Sequence, residues 1–306
     1  MVVEDFFSRR LLLVTGKGGV GKSTTCAALA LIAARLGKKV LLVEINSSGR
    51  LWQYFDTTPL DDQEVQIQQN IFALNLDPHR ILQKYIIDHT RLKMLAHKII
   101  NNPIYHYFVA AIPGIKEIMA LGKIMVLENE GGYDIIIADI PATGHGLSLL
   151  KVPQVVLNTV EIGPVNFQTR RVHNLLKDPH RTLLNIVTTA EEMAIKEALE
   201  IYHKINGGID IALGYVFING LYPPLPTDKT LEIYRAIKGS MADNHPYLSC
   251  TDFMIQRRRM HEYYLEEFRK DLYCHNIVEI PFVFSANFNL ATLEEISKHL
   301  GEKLCS

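Results

Sequence analysis

The sequence predicts an α/β chain, a mainly parallel sheet flanked by helices and carrying a helical insertion subdomain. Three observations lead there. Short apolar runs such as Leu11-Leu12-Leu13-Val14 and Val40 to Val43 stand beside glycines, as strands buried on both faces do. An alanine-rich stretch, Ser23 to Leu36, joins them with a short return, and a parallel pair needs such a helical crossover. A third run, Asp134-Ile135-Ile136-Ile137-Ala138-Asp139, ends in a carboxylate, at the strand end where open α/β sheets bind ligands.

In chain order, the first strand is Leu11 to Val14, and the helix Ser23 to Leu36 ends at Gly37, Lys38 and Lys39. Val40 to Val43 is the second strand. Asn75 to Asn129 contains Ile86, Ile87, Leu92, Leu95, Ile99, Ile100 and Ile118 with few strand-like alternations. It reads as several helices inserted between sheet strands. The expected organisation is therefore one domain over 1–306 with a helical insertion at about 77–130. Asp134 to Asp139 is the next strand. Arg181 to Thr188 and Ile209 to Ile218 follow as strands around a helix from Glu191 to Ile205. Asp252 to Asp271 is a helix of alternating charge, Ile277 to Pro281 the last strand, and Thr292 to Leu304 the closing helix.

Composition narrows the function classes. With 48% hydrophobic and 21% charged residues, the chain is not of the disordered class. Its 32 Lys and Arg nearly cancel 33 Asp and Glu, so no broad field of one sign favours nucleic acid or an anionic membrane. Cys26, Cys250, Cys274 and Cys305 form no Cys-x-x-Cys pair, neither a disulfide framework nor a zinc spacing. Met1 to Arg10 lacks the basic-then-apolar order of a secretory leader, and no apolar run reaches the ~18 residues of a membrane span. The expectation is a cytoplasmic protein with no integral membrane segment.

Gly16-Lys17-Gly18-Gly19-Val20-Gly21-Lys22-Ser23-Thr24 satisfies G-x-x-x-x-G-K-[ST] after a strand and at the opening of a helix. In such a loop, backbone N–H groups over Gly18, Gly19, Val20 and Gly21 point at phosphate oxygens, and the helix N-terminus adds partial positive charge. Lys22 is the candidate for the β- and γ-phosphates, Ser23 for Mg²⁺, and Thr24 completes the cradle. Asp139, closing its strand, is the candidate to hold Mg²⁺ through water.

Lys17 gives the loop a second, early lysine. This form resembles the deviant Walker A loop of the MinD/ParA, nitrogenase iron protein and arsenical-pump ATPase group. Pro141-Ala142-Thr143-Gly144-His145-Gly146-Leu147-Ser148-Leu149-Leu150 resembles switch II of the arsenical-pump and guided-entry (tail-anchored-protein targeting) ATPases. Ala111 to Glu117, Thr188 to Met193 and Val216-Phe217-Ile218-Asn219 match further stretches of that family in order, so the resemblance covers about Leu11 to Leu300.

The resemblance implies a P-loop NTPase of SIMIBI type with ATP and Mg²⁺ as cofactors, hydrolysing ATP as a homodimer that acts on a protein client or partner. It implies that Lys17 reaches the partner's nucleotide, that Asn219 contacts adenine, and that Pro281 and Phe282 lie beside the base. The inserted helices, with Val165 to Leu176, correspond to a client groove in the targeting ATPases; a plain helical core is the other reading. At switch I the family's water-orienting Asp is matched by Asn46, whose amide cannot accept a proton. Slow hydrolysis, or a share of the role for Glu44, is the expectation. The arsenite-binding cysteine cluster and the zinc clasp of relatives are unmatched. Two alternatives stay open: a MinD/ParA-like positioning ATPase on membrane or DNA, and a nucleotide-binding protein with little hydrolysis. The closing helix mixes lysines with glutamates rather than forming a basic anchor.

Overall fold

Runs of Leu, Ile and Val that bury both faces become the strands of one sheet in the computed structural model. It describes residues 3–45, 50–55, 57–58, 63–89, 100, 102, 114–141, 145–159, 161, 163–240, 246–272 and 276–305. The strands are β1 (Leu11–Thr15), β2 (Val40–Ile45), β3 (Val65–Gln68), β4 (Ile71–Leu76), β5 (Ile135–Asp139), β6 (Thr182–Thr189), β7 (Leu213–Leu221) and β8 (Ile277–Pro281). Their order is β3-β4-β2-β5-β1-β6-β7-β8. Every neighbouring pair is parallel except β3 with β4.

The described helices are α1 (Val3–Phe7), α2 (Lys22–Arg35), α3 (Arg50–Gln53), α4 (Pro78–His89), α5 (Ile115–Glu130), α6 (His145–Thr159), α7 (Pro164–Lys177), α8 (Glu192–Asn206), α9 (Asp228–Ser240), α10 (Pro246–Asp271) and α11 (Leu290–Cys305). Side chains alternate across the central strand. Leu12 and Val14 enter a core shared with α1, α2 and α11. Leu11 and Leu13 enter the opposite core, with α5, α6, α7, α8 and the end of α10. A two-sided core explains why β1 is uniformly apolar.

Strand order reverses around β1. The crossover through α2 passes β5 to reach β2, whereas β6 and β7 follow on the other side. Residues 16–21 therefore stand at the topological switch point, beside the carboxyl ends of β5 and β6.

The structure adds α9, for which no element was expected, and differs from the sequence expectation in the following places as well. A β3–β4 hairpin was not expected; its ladder runs from Gln68 opposite Ile71, around a turn in which Asn70 takes a φ of 61°. Asparagine tolerates that left-handed conformation at low cost. Asn75 and Leu76, read above as the start of the inserted helices, close β4, and helix begins at Pro78. Ile209 and Ile211, read as strand, are buried loop residues that pack on the core before β7 starts at Leu213. Between β4 and β5, Leu82 and Ile100 form a small apolar cluster with Ile86, Ile87, Ile115 and Met119, apart from the main cores.

At the amino ends of the strands one carboxylate is tightly held. Glu128 of α5 is buried, accepts hydrogen bonds from Arg181 through both carboxylate oxygens, and lies 3.5 Å from Arg10 Nε. Arg10 also donates to the Glu128 carbonyl at 2.8 Å. This fastens α5 to the starts of β1 and β6.

Candidate functional site

The loop between β1 and α2 is shaped by glycines that cannot be replaced freely. Gly16, Gly19 and Gly21 have φ values of 149°, 86° and 93°, a region that favours glycine. A Cβ on Gly16 would lie 2.1 Å from the Val187 carbonyl oxygen, and one on Gly21 2.1 Å from Asn219 Nδ2. The chain thus approaches β6 and β7 as closely as only glycine permits. Gly21 precedes α2 without a side-chain cap, so the first N–H groups of a 14-residue helix face the loop, as anion-binding helix termini do.

Polar side chains converge on this loop. Lys22 Nζ curls back onto the carbonyls of Gly16 and Lys17, at 3.1 and 3.0 Å. The Ser23 hydroxyl donates to Asp139 Oδ2 at 2.5 Å, a short bond of the charge-assisted kind. Asp139 is buried at the end of β5. Two residues on one side of the sheet switch point thereby bring together two hard oxygens. Thr24 Oγ1 lies 3.1 Å from the Tyr54 hydroxyl. Below the loop Cys26 is fully buried; burial, then the Asp139 carboxylate, pushes its thiol well above the usual range.

Glu44, at the end of β2, is buried and accepts the Leu51 backbone N–H at 3.1 Å, tying α3 to the strand. Lys17 Nζ is 3.8 Å from Glu197 Oε2 of α8. Neither side chain is fully buried, so this ion pair contributes at most about 1 kcal/mol.

The ends of β7 and β8 form the second wall. Asn219 Nδ2 donates to the Val20 carbonyl at 2.9 Å, joining β7 to the loop. Pro281 ends β8, and Phe282 N–H donates to the Leu221 carbonyl at 2.8 Å. Phe282 stacks on Tyr222 with centroids 5.1 Å apart and packs edge-on against Phe284. Both phenylalanines keep an exposed face. His261 of α10 supports Tyr222 by ring contact at 5.6 Å; burial lowers its proton affinity.

The structure brings Gly18, Gly19, Val20, Gly21, Lys22, Ser23, Thr24, Asp139 and Asn219 to one end of the sheet, with Lys17, Pro281 and Phe282 at its margin. Glu44 sits deeper, on β2. Asn46 and the Ala142-Thr143-Gly144 stretch lie outside the described residues. Tyr54, Tyr222 and Glu197 were missed by sequence reasoning. Their partners are 30, 39 and 180 positions away (Thr24, His261 and Lys17), and no local pattern joins them.

Comparison with known proteins agrees with the geometry. The sequence profile of the family described as anion-transporting ATPase matches residues 9–170. ATPase BagA of Mycobacterium tuberculosis is 32% identical over 225 residues, 70% of this chain and 66% of that protein. ATPase ASNA1 homolog 1 of Paramecium tetraurelia is 32% identical over 167 residues, 51% of this chain and 48% of its own length. ATPase GET3 of Podospora anserina is 26% identical over an alignment of 313 residues, covering 97% of this chain and 92% of that protein. The match to the mycobacterial relatives spans just under two thirds of their length, at 66%.

Proposed function

Because the chain belongs to the anion-transporting ATPase family, we propose that it binds ATP with Mg²⁺ and hydrolyses it as a dimeric switch acting on a protein client or partner. The observation that carries this reading is the 2.5 Å bond from Ser23 to Asp139 at the mouth of a glycine loop that opens α2. Hard cations such as Mg²⁺ take oxygen ligands and keep several waters, and a hydroxyl beside a carboxylate fits that preference. The glycine cradle, closed to a Cβ at position 16 by the Val187 carbonyl and strained for one at position 21 by its φ of 93°, fits a phosphate chain.

In this reading the backbone N–H groups of residues 18–21 and the α2 N-terminus bind the phosphates. Lys22 leaves the Gly16 and Lys17 carbonyls for the β- and γ-phosphate oxygens and neutralises charge that develops there. Ser23 would ligate Mg²⁺ and Asp139 would hold it through water, and the ion would offset phosphate charge. Asn219 reads the adenine edge with an amide able to donate and accept, and Pro281 and Phe282 flank the base. Glu44 or Asn46 orients the attacking water; since Glu44 also holds the Leu51 N–H, slow turnover is expected. Lys17 exchanges Glu197 for the partner subunit's nucleotide, so two loops face each other across a twofold axis. Loss of the γ-phosphate then reopens the dimer.

For the client, α4, α5 and α7 border an open cleft of about 690 Å³ in which Ile81, Ile87, Ile118, Met119, Val126 and Val172 stand beside the charged Arg80, Lys84, Asp88 and Lys123. A mainly apolar cleft with charged groups among its lining suits a peptide segment with a hydrophobic face. Among the described residues no helix is long and apolar enough to cross a membrane.

Mixing variants tests the dimer. Lys17→Ala has an intact loop but no lysine to lend, and Lys22→Ala has a defective loop but can lend Lys17. Each alone should release little phosphate, and the mixture should regain a substantial part of the parent rate. A mixture no faster than the sum of its components would contradict action in trans.

A further inference from the structure

We propose that Tyr54 is a positioning residue for the phosphate loop and that, with Thr24, it couples occupancy of the loop to α3. The inference rests on the phosphate-binding reading above. Thr24 lies in the first turn of α2, one residue beyond Ser23, and its Oγ1 stands 3.1 Å from the Tyr54 hydroxyl. A hydroxyl donates once and accepts twice. When Thr24 turns its proton toward a phosphate oxygen, its lone pairs remain to accept from Tyr54. Tyr54 O–H to Thr24 O–H to phosphate is then a chain in which each bond polarises the next. Tyr54 thereby fixes the rotor of Thr24 in the orientation that serves the anion.

Tyr54 is itself well placed for this. Its ring packs on Phe288 at 5.2 Å between centroids, which holds the phenol independently of its hydroxyl. It directly follows α3, whose Leu51 N–H is held by Glu44 at the end of β2. Leu51 and Trp52 are each only 1% exposed. The indole Nε1 of Trp52 is buried with no hydrogen-bond partner among the described residues, a costly arrangement for a donor. Residues 51–54 are therefore pinned at two points, one on β2 and one on the phosphate-loop helix, around a donor with no partner among the described residues. Strengthening the Thr24 bond on phosphate binding changes the second point, and Trp52 lies between them. It is also the single tryptophan of the sequence, so its emission reports on α3 alone.

The test measures the dissociation constant of the ATP analogue AMP-PNP by calorimetry, and Trp52 emission at saturation, in the parent, Tyr54→Phe, Thr24→Val and the double variant. Tyr54→Phe keeps the ring on Phe288 and removes only the hydroxyl. Its dissociation constant should rise about 3- to 10-fold, the worth of one neutral hydrogen bond. In the Thr24→Val background the same change should have no further effect, because Tyr54 acts through Thr24. AMP-PNP should shift Trp52 emission in the parent and leave it unshifted in Tyr54→Phe. An unchanged dissociation constant in Tyr54→Phe, an equal loss in both backgrounds, or an equal emission shift overturns the inference while leaving nucleotide binding intact. A parent that binds no AMP-PNP overturns the phosphate-binding reading and this inference with it.

Discussion

The two ends of the sheet use carboxylates and cations in opposite ways. At the amino end, Glu128 is buried and clamped by Arg10 and Arg181, with its own carbonyl bonded as well. At the carboxyl end, Lys17 meets Glu197 at 3.8 Å, Lys22 bonds two carbonyls of its own loop, and the Ser23 hydroxyl donates to Asp139. The first arrangement is a many-bonded clamp, costly to break. The second is made of a long ion pair and of bonds to loop carbonyls and a hydroxyl, groups that an incoming anion or cation can replace. Anchorage and exchange are thus separated along the strands, with β1 joining them.

Breaking the exchangeable end should abolish chemistry without unfolding the chain. Lys22→Ala should lower phosphate release by about 100-fold or more while moving the thermal midpoint little, since its bonds to the Gly16 and Lys17 carbonyls are local to the loop. Calorimetry alongside a phosphate-release assay checks both parts. Breaking the anchored end should do the reverse. Glu128→Ala takes the carboxylate from two guanidiniums, whose side chains are 34% and 36% exposed and which keep the carbonyl of residue 128 and the Asn129 side chain as partners. Water relieves part of the loss, so a cost of about 2–3 kcal/mol in urea unfolding is expected rather than the full value for a buried pair. If Glu128→Ala proves as stable as the parent, the contrast between the ends fails.

The smallest effect belongs to Glu197→Gln. It removes only a weak pair on Lys17, so stability should change by less than about 0.5 kcal/mol. Half-maximal phosphate release should then occur at a protein concentration lower by about 2-fold, because Lys17 is released for the partner. A higher concentration requirement would show that Glu197 assists Lys17 rather than holding it back.

How far the sequence anticipated these ends follows from what is local in a chain. β1, β2 and β5 are legible because strands buried on both faces have few other readings, and the glycine loop is a contiguous pattern. β3 and β4 are not. In Ile71–Leu76 the buried residues are Ile71, Ala73, Leu74 and Leu76, a spacing that fits helix and strand alike. In Val65–Gln68 only Ile67 is buried, as on an edge strand. The meeting of Ser23 with Asp139 beside Lys22 was legible, since the motif and the strand end mark those positions. Tyr54 and Glu197 were not, because an isolated tyrosine or glutamate carries no sign of the loop it will meet. The Glu128 clamp escaped for the same reason, its two arginines lying 118 and 53 positions away.

The most direct test of the central claim is phosphate release from ATP by the parent and by Asp139→Asn, each with Mg²⁺ and with Mg²⁺ removed by chelation. Release that requires Mg²⁺ in the parent and falls at least about 100-fold in Asp139→Asn is the result this account predicts. Equal release with and without Mg²⁺, or an Asp139→Asn variant as fast as the parent, would contradict it.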